Sequence, residues 1–196
     1  MKTVFNFLFS RWAFWVVIVG ALSARPVFAQ TAYFTPRTVL AEFFPRSQTI
    51  TFERFVLSPA QVQRLTALLG YAPRKPSYTV YTAKTAESID GYAILDEEKG
   101  QHLPISFAVR FDPHGKVTRQ EIVAYRERFG DEIRDPRFRE QFVGKTVNSP
   151  MREGEEIVAI SGATISSRAM VVGVRRALVL LSELVLKRPK AAVPSS

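Results

Sequence analysis

The sequence predicts an α+β fold, an antiparallel sheet with helices packed against it and a long C-terminal helix following a Ser-Gly-Ala-Thr turn. Three observations carry this. From Ser77 to Tyr125 the apolar residues recur with a period of two, in segments parted by turn residues. From Ile165 to Lys187 they recur with the helical period instead. Fifteen Phe and six Tyr favour a core that contains a sheet over a plain helical bundle. The 196 residues, 46% of them hydrophobic, suffice for one domain of ordinary size plus a leader or small extra lobe.

Taken in order, residues 1–29 read as an export signal or a membrane anchor. Lys2 and Arg11 give a positive start, Trp12 to Leu22 is an unbroken run of apolar and small residues, and Val27-Phe28-Ala29 offers the small side chains that a signal peptidase accepts. Either way, the remainder is expected outside the cytoplasm. Residues 30–88 read as an N-terminal lobe of helix and strand. Thr35 caps a helix that runs to Phe44, with Pro36 in its first turn and Pro45 beyond its end. Gln48 to Val56 alternates as a strand. Ser58-Pro59-Ala60-Gln61 is a capping box with proline at the first helical position. The helix it opens should bury Val62, Leu65, Leu68 and Leu69 and stop at Gly70.

Residues 89–188 read as the main domain. Tyr78–Tyr81, Gly91–Leu95 and Ile105–Val109 are strands in succession. Asp112-Pro113-His114-Gly115 is a tight turn, and Val117 to Tyr125 returns from it, so that Phe107–Tyr125 forms a hairpin. Asp135-Pro136 opens a short helix that holds Phe138 and Phe142 and closes at Gly144. Ile157–Ile160 is read as a short strand leading into Ser161-Gly162-Ala163-Thr164. The final helix should bury Val171, Val174, Leu178, Leu181 and Val185 and turn Arg168, Arg175, Arg176 and Glu183 mostly elsewhere. Residues 189–196 are a tail.

Composition narrows the chemistry. The absence of cysteine excludes disulfides, thiol redox chemistry, covalent c-type haem and ordinary iron–sulfur ligation. His102 and His114, the two histidines, cannot build a multi-histidine metal site and read as surface turn residues, so no metal is expected. An electron carrier of this composition needs an organic cofactor. The formal charge is +9; Lys2, Arg11 and Arg25 precede Ala29 with no acid among them, leaving +6 on the remainder. That excess suits an anionic membrane surface, an acidic partner or an anionic cofactor. The basic residues are scattered among acids, which argues against nucleic acid as a partner.

The passage from Ser161 into the helix is the most informative. Gly162 permits a sharp turn and close approach of a ligand to the backbone. A long helix starting there presents free N–H groups and the positive end of its dipole, a ready seat for phosphate. Thr164, Ser166 and Ser167 add hydroxyls at the same place, and Arg168 lies one turn further on. On local physics alone, plain helix capping explains such residues as well.

Ser161-Gly162-Ala163-Thr164-Ile165-Ser166-Ser167 resembles the flavinylation motif of the FMN-binding domain family. That domain occurs in the G subunit of Rnf-type electron-transport complexes and the C subunit of sodium-pumping NADH:quinone oxidoreductase. The likeness runs from about Gly91 to Lys187 and takes in Pro104–Val109, Asp112–Val117 and Gln141–Lys145. It implies that FMN is joined through a phosphoester to Thr164 by a flavin transferase after export, with Ser161, Gly162, Ala163, Ser166 and Ser167 around the attachment point. It also implies that membrane redox proteins are partners and that the protein relays electrons rather than acting alone as an enzyme. Arg126 and Glu127, in the loop that follows a strand, fall where the family has a glutamate-threonine-proline-glycine loop near the flavin. Val158 stands where the family's motif usually has aspartate, with Glu155 and Glu156 nearby but out of register. A non-flavinylated binding module of the same fold and a flavin-dependent reductase are the other functions open to such a chain.

Overall fold

The structure is a computed structural model that describes residues 31–188. The leader expected over residues 1–29 and the tail over 189–196 lie outside the described residues. The elements run β1 (Thr31–Ala32), α1 (Pro36–Phe43), β2 (Thr49–Val56), α2 (Pro59–Leu69), β3 (Ser77–Thr85), β4 (Ser88–Lys99), β5 (Pro104–Phe111) and β6 (Val117–Tyr125). A short 3-10 turn (Asp131–Arg134), α3 (Pro136–Glu140) and α4 (Thr164–Leu181) follow, and one π-helical turn (Ser182–Leu186) extends α4. The strands form one antiparallel sheet in the order β1-β6-β5-β4-β3-β2, so the α+β architecture is as expected.

Residues 49–56 and 77–85 of the segment read as an N-terminal lobe supply β2 and β3 of this same sheet. Its two helices begin as the sequence predicts. Thr35 and Ser58 each accept a hydrogen bond from the backbone three residues on, and Thr38 and Gln61 return it. Gly70 ends α2 in the left-handed conformation, with φ 81°. Of the four α2 residues expected inside, Leu65 and Leu69 are buried, whereas Leu68 is 39% exposed. α2 lies near the sheet's β2 side, so only its narrower Leu65–Leu69 stripe meets α4 and the sheet.

Alternation along the strands builds two cores. Tyr78, Val80, Tyr92, Ile94, Phe107, Val109 and Ile122 point to the face covered by α2 and α4. Ala83, Ala93, Ala108 and Val123 point to the other, where α1 lays Val39, Leu40, Phe43 and Phe44 across them. The small side chains on that face let α1 sit close to the backbone.

Two expectations about the sheet and α4 need correcting together. β4 does not end at Leu95 but continues through Asp96 and Glu98, both buried. Arg176 does not turn away from the apolar face; it is 1% exposed and reaches these acids. Its guanidinium donates to Asp96 Oδ2 at 2.8 Å, to Glu98 Oε2, and to the Glu97 carbonyl at 2.8 Å. Arg74 binds Glu98 and Lys75 binds Asp96 at 2.6 Å, tying the α2–β3 loop to the same cluster.

The strand read at Ile157–Ile160 is a single parallel bridge between Glu153 and Ile157. The reason is that no strand among the described residues lies beside it. The Val158 N–H donates instead to Gln141 Oε1 at 2.7 Å, and the Val158 carbonyl accepts from Gln141 Nε2 at 3.1 Å. One side-chain amide from the end of α3 thus replaces a neighbouring strand, and the segment stays a loop.

Candidate functional site

The turn before α4 is built by its neighbours. Ile157 and Ala163 are buried anchors at either end. The Ala163 N–H donates to the Ile160 carbonyl at 3.0 Å, closing a turn in which Gly162 has φ 84°. Apart from Gly162 and its two chain neighbours, no heavy atom of the described residues lies within 4 Å of where a Gly162 Cβ would stand, so the surface over this turn is open. Ser167, fully buried one turn into the helix, accepts the Ile160 N–H on its Oγ at 3.2 Å. The same residue's N–H makes the first helical bond, to the Ala163 carbonyl at 2.8 Å.

Thr164 is the first residue of the 18-residue α4, and no side chain caps this helix. Neither Ser161 nor Thr164 plays the capping part that local physics allowed; both are exposed. The first-turn N–H groups are therefore left to an outside acceptor, at the positive end of the helix dipole and beside an exposed hydroxyl.

The other hydroxyls have separate duties. Ser166 is buried, and its Oγ lies 2.8 Å from Tyr125 Oη. Tyr125 Oη in turn donates to the Phe129 carbonyl at 2.5 Å. With the single tyrosine hydrogen spent on that carbonyl, Ser166 is the donor to Tyr125. Burial pushes the Tyr125 hydroxyl above the ordinary phenol range, against the effect of the Ser166 hydrogen bond, so it stays protonated as this chain requires. The sequence suggested no such role for Tyr125, and a serine and a tyrosine 41 residues apart offer no local signal of it.

Arg126 and Glu127 are also structural. Arg126 donates to the Pro104 carbonyl at 3.0 Å and to Ser106 Oγ at 2.8 Å. Glu127 Oε1 accepts the N–H groups of His102 at 2.5 Å and Leu103 at 2.8 Å, fastening the β4–β5 turn to the loop after β6. Between these two loops lies a cavity of 530 Å³ walled by Leu103, Phe129 and the stems of Arg126 and Arg128. Phe129 is 73% exposed at its rim, and its carbonyl is the one held by Tyr125. Ser166 therefore connects this wall to the first turn of α4. Arg168 does not reach back toward Thr164; it pairs with Glu153 at 2.7 Å.

Gly130 packs tightly where the loop meets the helix. It has φ 95°, and a Cβ there would stand 2.6 Å from Tyr125 Oη and 2.7 Å from Ser166 Oγ. Gly130→Ala is expected to destabilise the protein by about 2–3 kcal/mol, from backbone strain and the displaced Ser166–Tyr125 bond. Urea unfolding measures this. An unchanged midpoint would mean that the loop does not bear on α4.

Residues 100–179 match the family model of the FMN-binding domain. The matched span includes β5, β6, the Arg126–Glu127 loop and the whole Ser161–Ser167 segment. NqrC of Shewanella oneidensis is similar in structure, with 17% identity and a TM-score of 0.46 over 71% of this chain and 80% of that one. The corresponding protein of the Na(+)-translocating NADH-quinone reductase from Parabacteroides distasonis shows 16% identity and a TM-score of 0.42 over 72% of this chain and 83% of its own. No curated protein matches the sequence.

The residues present fit FMN. A flavin phosphate needs hydrogen-bond donors and positive potential, which an uncapped helix start provides. A phosphoester needs an accessible alcohol, and among the Thr164, Ser166 and Ser167 hydroxyls only that of Thr164 is exposed.

Proposed function

We propose that this protein is an extracytoplasmic electron-transfer flavoprotein with FMN esterified to Thr164. The observation that carries the reading is the exposed Thr164 hydroxyl at the uncapped start of α4, inside an FMN-binding domain. When bound, FMN supplies reversible one- and two-electron chemistry that this cysteine-free chain has no other means to provide.

The chain's own residues divide the work. Thr164 Oγ1 would hold the phosphorus, its O–P bond replacing the Oγ1–H bond and one P–O bond to a departing group, so that the attached mass is FMN less one water. The α4 first turn receives the phosphate's remaining charge, and Gly162 leaves the approach open. Ser166, Tyr125 and Gly130 hold the Phe129 loop against the helix, so that the apolar cavity beside it can take the flavin ring. Export by residues 1–29 brings the chain to a flavin transferase and to membrane redox partners. Val158 in place of the usual aspartate sits on a backbone clamped by Gln141, so the loop is held without that carboxylate.

The test is to produce the full chain in an exporting host together with a flavin transferase, then read flavin fluorescence on a denaturing gel and intact mass. A fluorescent band, heavier by one FMN less water, is the expected result. A dark band of unmodified mass would reject covalent attachment and leave a non-flavinylated binding module as the better reading.

A further inference from the structure

We propose that the outer edge of the sheet at β2, with the α1 face beside it, seats on an anionic lipid surface. This goes beyond the flavin reading and is independent of it, because α4 packs on the opposite face of the sheet.

β2 is the last strand of the sheet and is solvent-exposed along nearly its whole length. Ile50 pairs with Ala83 and Phe52 with Tyr81, which places Ile50, Phe52, Arg54 and Val56 together on the α1 side. Phe52 is 72% exposed and Val56 73%, values that a strand tucked into its own fold would not show. A groove of 630 Å³ lies between this strand and α1, walled by Leu40, Phe44, Ile50, Phe52 and Tyr81. The apolar stripe from Ile50 to Val56 is about 20 Å long at the usual rise per strand residue.

The charge around it has one dominant sign. Arg37 lines the groove, Arg46 follows Pro45 at its end, and Arg54 stands between Phe52 and Val56; all three are exposed. The nearby acids are engaged elsewhere. Glu42 pairs with Arg119. Asp90, which accepts hydrogen bonds from Ser47 at 2.6 Å and Thr85 at 2.7 Å, keeps its charge and faces that of Arg110. Glu53 points to the other face, where Arg188 holds it at 2.7 Å, and Glu87 lies out on the β3–β4 turn.

Apolar side chains alternating with arginine match a headgroup boundary. The long arginine stems let the guanidinium groups stay at phosphate level while Phe52, Ile50 and Val56 enter the acyl border. No helix among the described residues is long and apolar enough to cross a membrane, so the contact proposed is a surface one.

Because the chain has no cysteine, Phe52→Cys can carry one polarity-sensitive fluorophore on the full-length protein, and Gln63→Cys on the exposed side of α2 serves as the reference. Any tethering by residues 1–29 acts on both alike, so the contrast between positions isolates the face. With vesicles of mixed phosphatidylglycerol and phosphatidylcholine, the label at 52 should shift blue and resist aqueous iodide, while the label at 63 stays wet. Adding R37Q, R46Q and R54Q should weaken that vesicle response on the order of a hundredfold. The proposal is overturned if position 52 stays as wet as position 63, or is shielded equally by phosphatidylcholine alone. Shielding that appears only in membranes containing other proteins would also overturn it, and would assign the face to a protein partner.

Discussion

Thr164→Val is expected to abolish covalent flavin completely while leaving the fold intact. Valine keeps the shape of threonine and removes only Oγ1, the atom proposed to bond to phosphorus. Thr164 is exposed and caps nothing, so its stability change should stay within about 0.5 kcal/mol. Thr164→Ser restores a hydroxyl at the same helical position and should load. The neighbouring serines behave in the opposite way. Ser166→Ala removes the donor to Tyr125, and Ser167→Ala leaves the Ile160 N–H without its partner. Each should cost about 1–3 kcal/mol while still allowing the flavin to attach. Denaturing-gel fluorescence and intact mass, read beside thermal melts of the same four proteins, separate these outcomes. A fluorescent Thr164→Val band, or loss of loading with Ser166→Ala alone, would place the attachment elsewhere.

What the sequence revealed here follows from how local each interaction is. Thr35, Ser58 and Gly70 act within a few residues of their own position, and all three helix boundaries they mark are found. The Asp112–Gly115 turn fixes its hairpin for the same reason. The Ser161–Thr164 turn was legible as a helix start, and its match to the FMN-binding domain gave it a chemical meaning. Arg126 and Glu127 were read as loop residues near a flavin; the structure shows them bonded to residues 20 to 25 positions away, which left no local mark. The missing strand at Ile157–Ile160 failed in a similar way. Its apolar run is genuine, yet its partner is the amide of Gln141 rather than a strand.

The buried charge cluster is the sharpest case, and it sets the second large effect. Read singly, Asp96 and Glu98 end a strand, and Arg176 belongs on a wet helix face. Each is buried only because the others are, and β4 and α4 lie about 80 residues apart in sequence. Burial opposes the Arg176 charge, and Asp96 and Glu98 overcome that opposition and hold its pKa above the ordinary guanidinium value. Arg176→Met should therefore destabilise the protein by about 3–5 kcal/mol, since two buried carboxylates lose their shared partner. For a chain of this size that corresponds to a fall in Tm of roughly 6–20 °C. Arg74 and Lys75 cannot make up the loss, because each holds one outer oxygen of one acid and is itself half exposed. Combining Arg176→Met with Asp96→Asn and Glu98→Gln removes the stranded charge and should recover much of the stability. Thermal melts of the single and triple variants decide it. Equal losses in both would mean that Arg176 matters for its volume against the sheet, and that the ion pairs hold β4 and α4 together no better than an apolar contact would.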